Sequence, residues 1–175
     1  MPPRTDSFDL SGLRLASGEG RRLDLEVGLG GFELGGEHYE TATPTVPVRL
    51  DVSRTMGSGY ALRLRFATRL VGPCVRCLEA AERDFEIDAR EVSLPGEGAE
   101  LESPYLAQRP GTTLDLHAWA HDALLLVLPT QILCRPGCAG LCPVCGIDLN
   151  QAGPDHQHDP EPDPRWAKLS ELRFE

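Results

Sequence analysis

Ala61-Leu-Arg-Leu-Arg-Phe-Ala-Thr-Arg-Leu70 and Glu82-Arg-Asp-Phe-Glu-Ile-Asp-Ala-Arg-Glu91 decide the fold. Side chains alternate across a strand with period two. Leu62, Leu64, Phe66 and Leu70 therefore share one face of the first stretch, and Arg63, Arg65 and Arg69 the other. In the second stretch Phe85, Ile87 and Ala89 lie opposite Glu82, Asp84, Glu86, Asp88 and Arg90. The two read as strands of one hairpin. A turn centred between Val75 and Arg76 sets Arg69 against Glu82, Arg65 against Glu86 and Arg63 against Asp88, with Phe66 on Phe85 and Leu64 on Ile87. A one-residue slip would turn arginines onto apolar partners, so the pattern specifies register. Cys74 and Cys77 fall on the hairpin tip.

Toward the N-terminus, Phe8 to about Leu50 reads as short strands between Gly-rich turns: Arg22 to Val27, Gly28 to Gly36, then Thr43 to Val52. Leu23, Leu25 and Val27 alternate with charged residues, as a half-buried strand requires. Toward the C-terminus, Leu94 to Thr113 is rich in Pro, Gly and Glu and is expected to be an exposed connection. A helix should follow, capped by Thr113 or Asp115, with Leu116, Trp119, Ala120, Ala123, Leu124 and Val127 on its buried face and Pro129 as its stop. Beyond it lie a cysteine-rich tail, a Pro/Asp stretch from Gly153 to Pro164, and a short helix from about Arg165 to Leu172 carrying Trp166, Leu169 and Leu172. The expected fold is α+β: a mainly antiparallel β core domain over residues 1–130, with hairpin Ala61–Glu91 and one packed helix near 115–128. A Cys/His zinc-binding tail over 131–175 follows it.

The formal net charge is −10, from 27 acidic against 17 basic side chains, so the long-range field repels a polyanion and non-specific nucleic-acid binding is disfavoured. Basic ribosomal proteins and local contacts with phosphate stay open as partners. The longest apolar run, Ala123 to Leu128, is far too short to cross a bilayer, and no apolar stretch of signal-peptide length follows Met1. A cytoplasmic protein without a membrane partner is expected. In that reducing compartment, cysteines paired at short spacing are metal ligands or redox thiols more often than disulfides.

The candidate ligands are Cys74-x2-Cys77, Cys134-x3-Cys138, Cys142-x2-Cys145 and His156-x-His158. A C-x2-C knuckle lets two thiolates from one tight turn reach the same tetrahedral ion, and two such pairs close a structural zinc site. The preferred division is Cys74, Cys77, Cys134 and Cys138 in one site and Cys142, Cys145, His156 and His158 in a second. The hairpin tip and the exit of the helix can meet at one end of the domain. Spacing leaves open a single ribbon of Cys74, Cys77, Cys142 and Cys145, cysteines that are merely small buried residues, and histidines that are simply solvated. A redox role would need a nucleophilic thiolate at a helix N-terminus, which a hairpin tip does not supply.

No familiar catalytic pattern is complete in the sequence. His117 and His121 have the i, i+4 spacing of a zinc protease, but Ala118 stands where its Glu should be, so they read as ordinary helix surface. The glycines from Gly28 to Gly36 lack a strand–turn–helix context, and the sequence has no P-loop or nucleophile elbow. The arginine stripe Arg63, Arg65 and Arg69 could grip phosphate, although its acidic cross-strand partners favour internal pairing.

Cys74-Val-Arg-Cys-Leu-Glu79, Val127-Leu-Pro129, Cys138-Ala-Gly-Leu-Cys-Pro-Val-Cys-Gly146 with Leu149-Asn150, and Asp163-Pro-Arg165 with Leu169 resemble, in matching order from about Leu62 to Leu172, the YceD-like family named for large ribosomal RNA subunit accumulation. By that likeness Cys74, Cys77, Cys134 and Cys138 form one unit, and Cys142 and Cys145 match the family's extended tail. His156-x-His158 stands where members often have C-x-C, an exchange zinc accepts. The resemblance implies a non-enzymatic role in large-subunit biogenesis, with one or two structural zinc ions. The implied partners are large-subunit rRNA precursor, a ribosomal protein or an assembly factor, and no small-molecule substrate. Two other classes compete: a zinc-dependent RNA hydrolase with Asp155 or Asp159 as base, and a protein-only adaptor unrelated to ribosomes.

Overall fold

The computed structural model describes residues 4–56, 59–94, 102–107, 112–153 and 155–158. In chain order these form β1 (Ser7–Asp9), a 3-10 turn (Leu10–Leu13), β2 (Gly20–Val27), β3 (Gly31–Leu34), β4 (Glu37–Thr41) and β5 (Val46–Arg54). After them come β6 (Tyr60–Pro73), β7 (Ala80–Ser93), β8 (Leu106–Ala107), β9 (Thr113–Asp115), α1 (Leu116–Leu125) and α2 (Leu149–Ala152). The expected helix from Arg165 to Leu172 and most of the Pro/Asp stretch lie outside the described residues.

The long hairpin of β6 and β7 is the backbone of the sheet. Along its other edge β6 pairs first with β5, from Tyr60 to Phe66, and then with β4, at Leu70 and Val71. β2 extends the sheet from β5 and β3 extends it from β4, all antiparallel. A second, small sheet has the order β1, β9, β8. Apolar faces of the large sheet, α1 and the small sheet enclose one core, in which Leu50, Leu64, Leu70, Leu114, Leu116, Leu124 and Ile132 are fully buried. Antiparallel alternation with one face on a core and one in water is what these sequences dictate.

The faces of the hairpin fall as the alternation requires, but the register does not. Arg69 faces Asp84, Phe66 faces Ile87 and Thr68 faces Phe85, so β7 is shifted two residues from the expected pairing and the turn is centred between Arg76 and Cys77. An even slip keeps every side chain on its face, so alternation cannot resolve it. The tip decides. Cys74 N–H donates to the Glu79 carbonyl at 2.7 Å, which carries the ladder one pair beyond the strands and fixes a four-residue loop, Val75 to Leu78. Arg63 now faces Arg90, and it reaches diagonally to Asp88 at 2.5 Å instead. Arg65 turns to Asp51 on β5 at 2.6 Å, and Arg69 meets Asp84 at 2.6 Å. All three arginines of the stripe have carboxylate partners.

Helix α1 is capped by Asp115, whose carboxylate accepts from Ala118 N–H at 2.9 Å, whereas Thr113 lies in β9. Leu116, Trp119, Ala120, Ala123 and Leu124 are buried as expected; Val127 is 46% exposed. Before Pro129 the last turn tightens to i→i−3 bonds, Val127 N–H to Leu124 and Leu128 N–H to Leu125, and this rotates Val127 outward. The segment before α1 is not simply an exposed connection. Ser103 and Leu106 are buried, Leu106 and Ala107 pair with β9, and the Tyr105 ring stacks 6.3 Å from Trp119 while its hydroxyl donates to Asp122. Its polar composition hid a strand of only two residues. His117 and His121 are likewise in contact: His117 Nδ1 hydrogen-bonds the Gly28 carbonyl, and His121 stacks on Phe32 at 4.6 Å.

Candidate metal centre

Two short loops of the same shape carry the cysteine pairs. In the first, Cys74 N–H donates to Glu79 O and Leu78 N–H to Cys74 O. In the second, Cys142 N–H donates to Ile147 O and Gly146 N–H to Cys142 O, all between 2.7 and 2.9 Å. The first loop joins Pro73 to Ala80 across the end of the hairpin, and the second is closed by a β-bridge between Leu141 and Asp148. Each fifth residue is left-handed, Leu78 at φ 62° and Gly146 at φ 73°. Backbone geometry of this kind turns both sulfurs of a C-x2-C pair to one side.

The chain beyond α1 returns to the hairpin tip. Val75 N–H donates to Ile132 O at 3.2 Å and Leu141 N–H to Arg76 O at 3.0 Å, while Arg76 Nη1 donates to Cys138 O at 2.9 Å. The ligand atoms of Cys74, Cys77, Cys134 and Cys138 all lie within 4.8 Å of one another, and so do those of Cys142, Cys145, His156 and His158. Cys142 and Cys145 are thus grouped with the histidines and not with Cys74 and Cys77, as a single ribbon would have it. Asp155, which the hydrolase alternative named as base, is exposed, and Asp159 lies outside the described residues.

The donors fit a tetrahedral ion. Bonds of about 2.3 Å to sulfur place tetrahedral thiolates about 3.8 Å apart. Cys74 Sγ and Cys138 Sγ are 3.8 Å apart, and Cys77 Sγ and Cys134 Sγ 3.5 Å. All six cysteines are free thiols. In the second cluster Cys145 Sγ lies 3.5 Å from His156 Nε2, which lies 3.1 Å from His158 Nε2. The two differ in burial. Cys74, Cys77 and Cys138 are buried and Cys134 partly so, whereas Cys145 and His158 are exposed.

The electrostatics favour a cation. Burial opposes ionisation of Cys74, but the amides of Cys134, Cys77 and Arg76 outweigh it and bring that thiol down to about 6. The Glu79 amide favours a Cys77 thiolate, yet burial and the sulfurs of Cys134, Cys138 and Cys74 push it up to about 12. One charge forms readily and the next is repelled, a conflict that a divalent cation removes. Cys142 is brought down to about 6, chiefly by the Cys145 amide and then by His156. Each cluster could hold a metal ion.

Two residues of this region carry no ligand chemistry in the sequence and yet join the parts. Arg76 is the first. The second is Asn150, which donates to Cys138 Sγ at 3.4 Å and accepts from Ala139 N–H at 2.8 Å. The Asp-x-Asn spacing after the second C-x2-C pair was the available signal, because Asp148 caps α2 and fixes the asparagine.

The family model described as large ribosomal RNA subunit accumulation protein YceD matches residues 62–173, a span that begins in β6 and contains both clusters. The chain belongs to the YceD family. Among its relatives, uncharacterized proteins of Mycobacterium tuberculosis and Mycobacterium bovis are 37% identical over 121 residues, covering 67% of this chain and 58% of theirs. An uncharacterized protein of Mycobacterium leprae is 33% identical over 113 residues, 58% of this chain and 48% of its own. The chain therefore spans less than two thirds of the length of these YceD relatives. No solved structure gives a significant match. The YceD description names accumulation of a ribosomal RNA subunit and no reaction. No helix among the described residues is long and apolar enough to cross a membrane.

Proposed function

We propose that this protein is a non-enzymatic, cytoplasmic factor of large ribosomal subunit biogenesis, supporting accumulation or processing of large-subunit rRNA, with zinc as a structural element. Membership of the YceD family carries the reading, because the matched span is the part of the chain that holds both clusters. Cys74, Cys77, Cys134 and Cys138 would hold one ion, and Cys142, Cys145, His156 and His158 a second. Four protein donors leave no vacant position for water on a tetrahedral ion, so such sites brace a fold and shape a surface without activating a nucleophile. The staple acts between a core domain, residues 1–130, and a tail, 131–175. It fastens the hairpin tip to chain that also meets it through hydrogen bonds of Val75 and Arg76 and joins the core through buried Ile132. The partner is rRNA precursor, a ribosomal protein or another assembly factor.

Replacing Cys74 and Cys77 together by Ser tests the proposal. The variant should bind less zinc by mass spectrometry, melt at lower temperature, and lower large-subunit rRNA relative to small-subunit rRNA in cells. Unchanged melting together with unchanged rRNA would refute it.

A further inference from the structure

The two clusters are not independent. The second knuckle ends in Asp148, whose carboxylate accepts from the backbone and side-chain N–H groups of Asn150 at 2.8 and 2.7 Å. Leu149 N–H donates to Gly140 O at 2.9 Å, and Asn150 Oδ1 accepts from Ala139 N–H at 2.8 Å, so the start of α2 is seated on the Ala139-Gly140 turn. Its remaining donor points to the other cluster, at Cys138 Sγ, 3.4 Å away. Both protons and the oxygen of this amide are therefore committed. The rest of the contact runs through one residue of the first knuckle: Arg76 O accepts from Leu141 N–H, next to Cys142, and its guanidinium holds the Cys138 carbonyl.

Resting on the metal reading above, we propose that Asn150 couples the clusters. A metal ion held by Cys142, Cys145, His156 and His158 fixes the second knuckle, and with it the hydrogen bond from Asn150 to Cys138 that retains the ion among Cys74, Cys77, Cys134 and Cys138. Hydrogen bonds to ligand atoms orient them, and their loss costs about 10- to 100-fold in metal affinity. Asn150 is thus a positioning residue that acts through Cys138.

The test uses the full chain loaded with Co(II), whose absorption differs between four-thiolate and two-thiolate, two-imidazole sites. Wild-type protein that loads at neither cluster overturns the metal reading and this proposal together, before any rate is measured. With loading established, chelator-driven loss of the four-thiolate signal is followed in wild type, Asn150→Ala, the double variant His156→Ala/His158→Ala, and all three substitutions combined. Loss about tenfold faster in Asn150→Ala and in the double variant, with no further gain when they are combined, is the expected result. Multiplying rates in the combination, or wild-type release from Asn150→Ala, would overturn the proposal. Asn150→Leu separates lost hydrogen bonds from lost packing, since it keeps the volume without adding a charge beside Asp148 and Cys138. Its release should match that of Asn150→Ala, and wild-type release from it would count against coupling.

Discussion

Leu78 and Gly146 occupy the same place in two knuckles, each donating its N–H to the first cysteine of its pair from a left-handed backbone at φ 62° and 73°. Glycine adopts that conformation without steric cost, and leucine does not. Leu78 is also 58% exposed, so little packing compensates it. Leu78→Gly should raise stability by about 0.5–1 kcal/mol despite the freer unfolded chain, whereas Gly146→Leu should lower it by a similar amount. Urea midpoints of the metal-loaded proteins check this, and a lower midpoint for Leu78→Gly would contradict the equivalence.

The approach to the first knuckle is set by Gly72. A Cβ there would run into the Tyr39 ring and come within 2.9 Å of the His38 carbonyl. Tyr39 has nowhere to move, being fully buried with its hydroxyl donating to Pro73 O at 2.6 Å. Overpacking of this kind costs about 1–3 kcal/mol, so Gly72→Ala should lower the melting temperature by roughly 2–12 °C. An unchanged transition in differential scanning calorimetry would mean that β4 and β6 are free to separate.

Burial predicts the order in which the clusters give up metal. Cys145 and His158 are open to solvent, while Cys74 and Cys138 are completely buried. A chelator reaches the first pair without unfolding anything and the second only after the tip opens. Stepwise chelation of zinc-loaded protein should therefore release one ion early with little change in far-UV circular dichroism, then a second with loss of structure. Simultaneous release, or early loss of structure, would contradict this order.

Much of this was legible in the residues. The faces of β6 and β7, a helix start at Thr113 or Asp115 and the gathering of the four Cys/His pairs into two clusters followed from alternation, capping and the ends of the elements that carry them. What failed shared one cause: features set by individual hydrogen bonds that alternation and composition do not encode. The hairpin register was fixed by the Cys74–Glu79 pair at the tip, not by charge matching, because Arg63 reaches a diagonal carboxylate as easily as a direct one. The strand at Leu106–Ala107 exists only because β9 passes beside it, and nothing in its own composition announces it. Asn150 could be seen as a residue of the tail, but its hydrogen bond to Cys138 required the fold.

The outer face of the hairpin makes the last prediction. Arg69 holds the Asp84 carboxyl below the usual carboxylate range by hydrogen bond and charge, and Arg63 does the same for Asp88. A carboxylate whose folded pKa is depressed contributes stability above its unfolded value, about 3.9, and loses it as pH falls through the folded one. Both groups are exposed, so the contribution is small and screened by salt. Asp84→Asn/Asp88→Asn should therefore be less stable than wild type at pH 7 and low ionic strength, and the gap should start to narrow as pH falls below about 3.9 and close once pH is below the depressed folded values. Loss of metal at low pH affects both chains and cancels in their difference. Urea midpoints from pH 7 to pH 3 at two salt concentrations decide it. A gap that does not narrow at all between pH 4 and pH 3, or one that does not shrink in high salt, would mean that these arginines are held by something other than the two carboxylates.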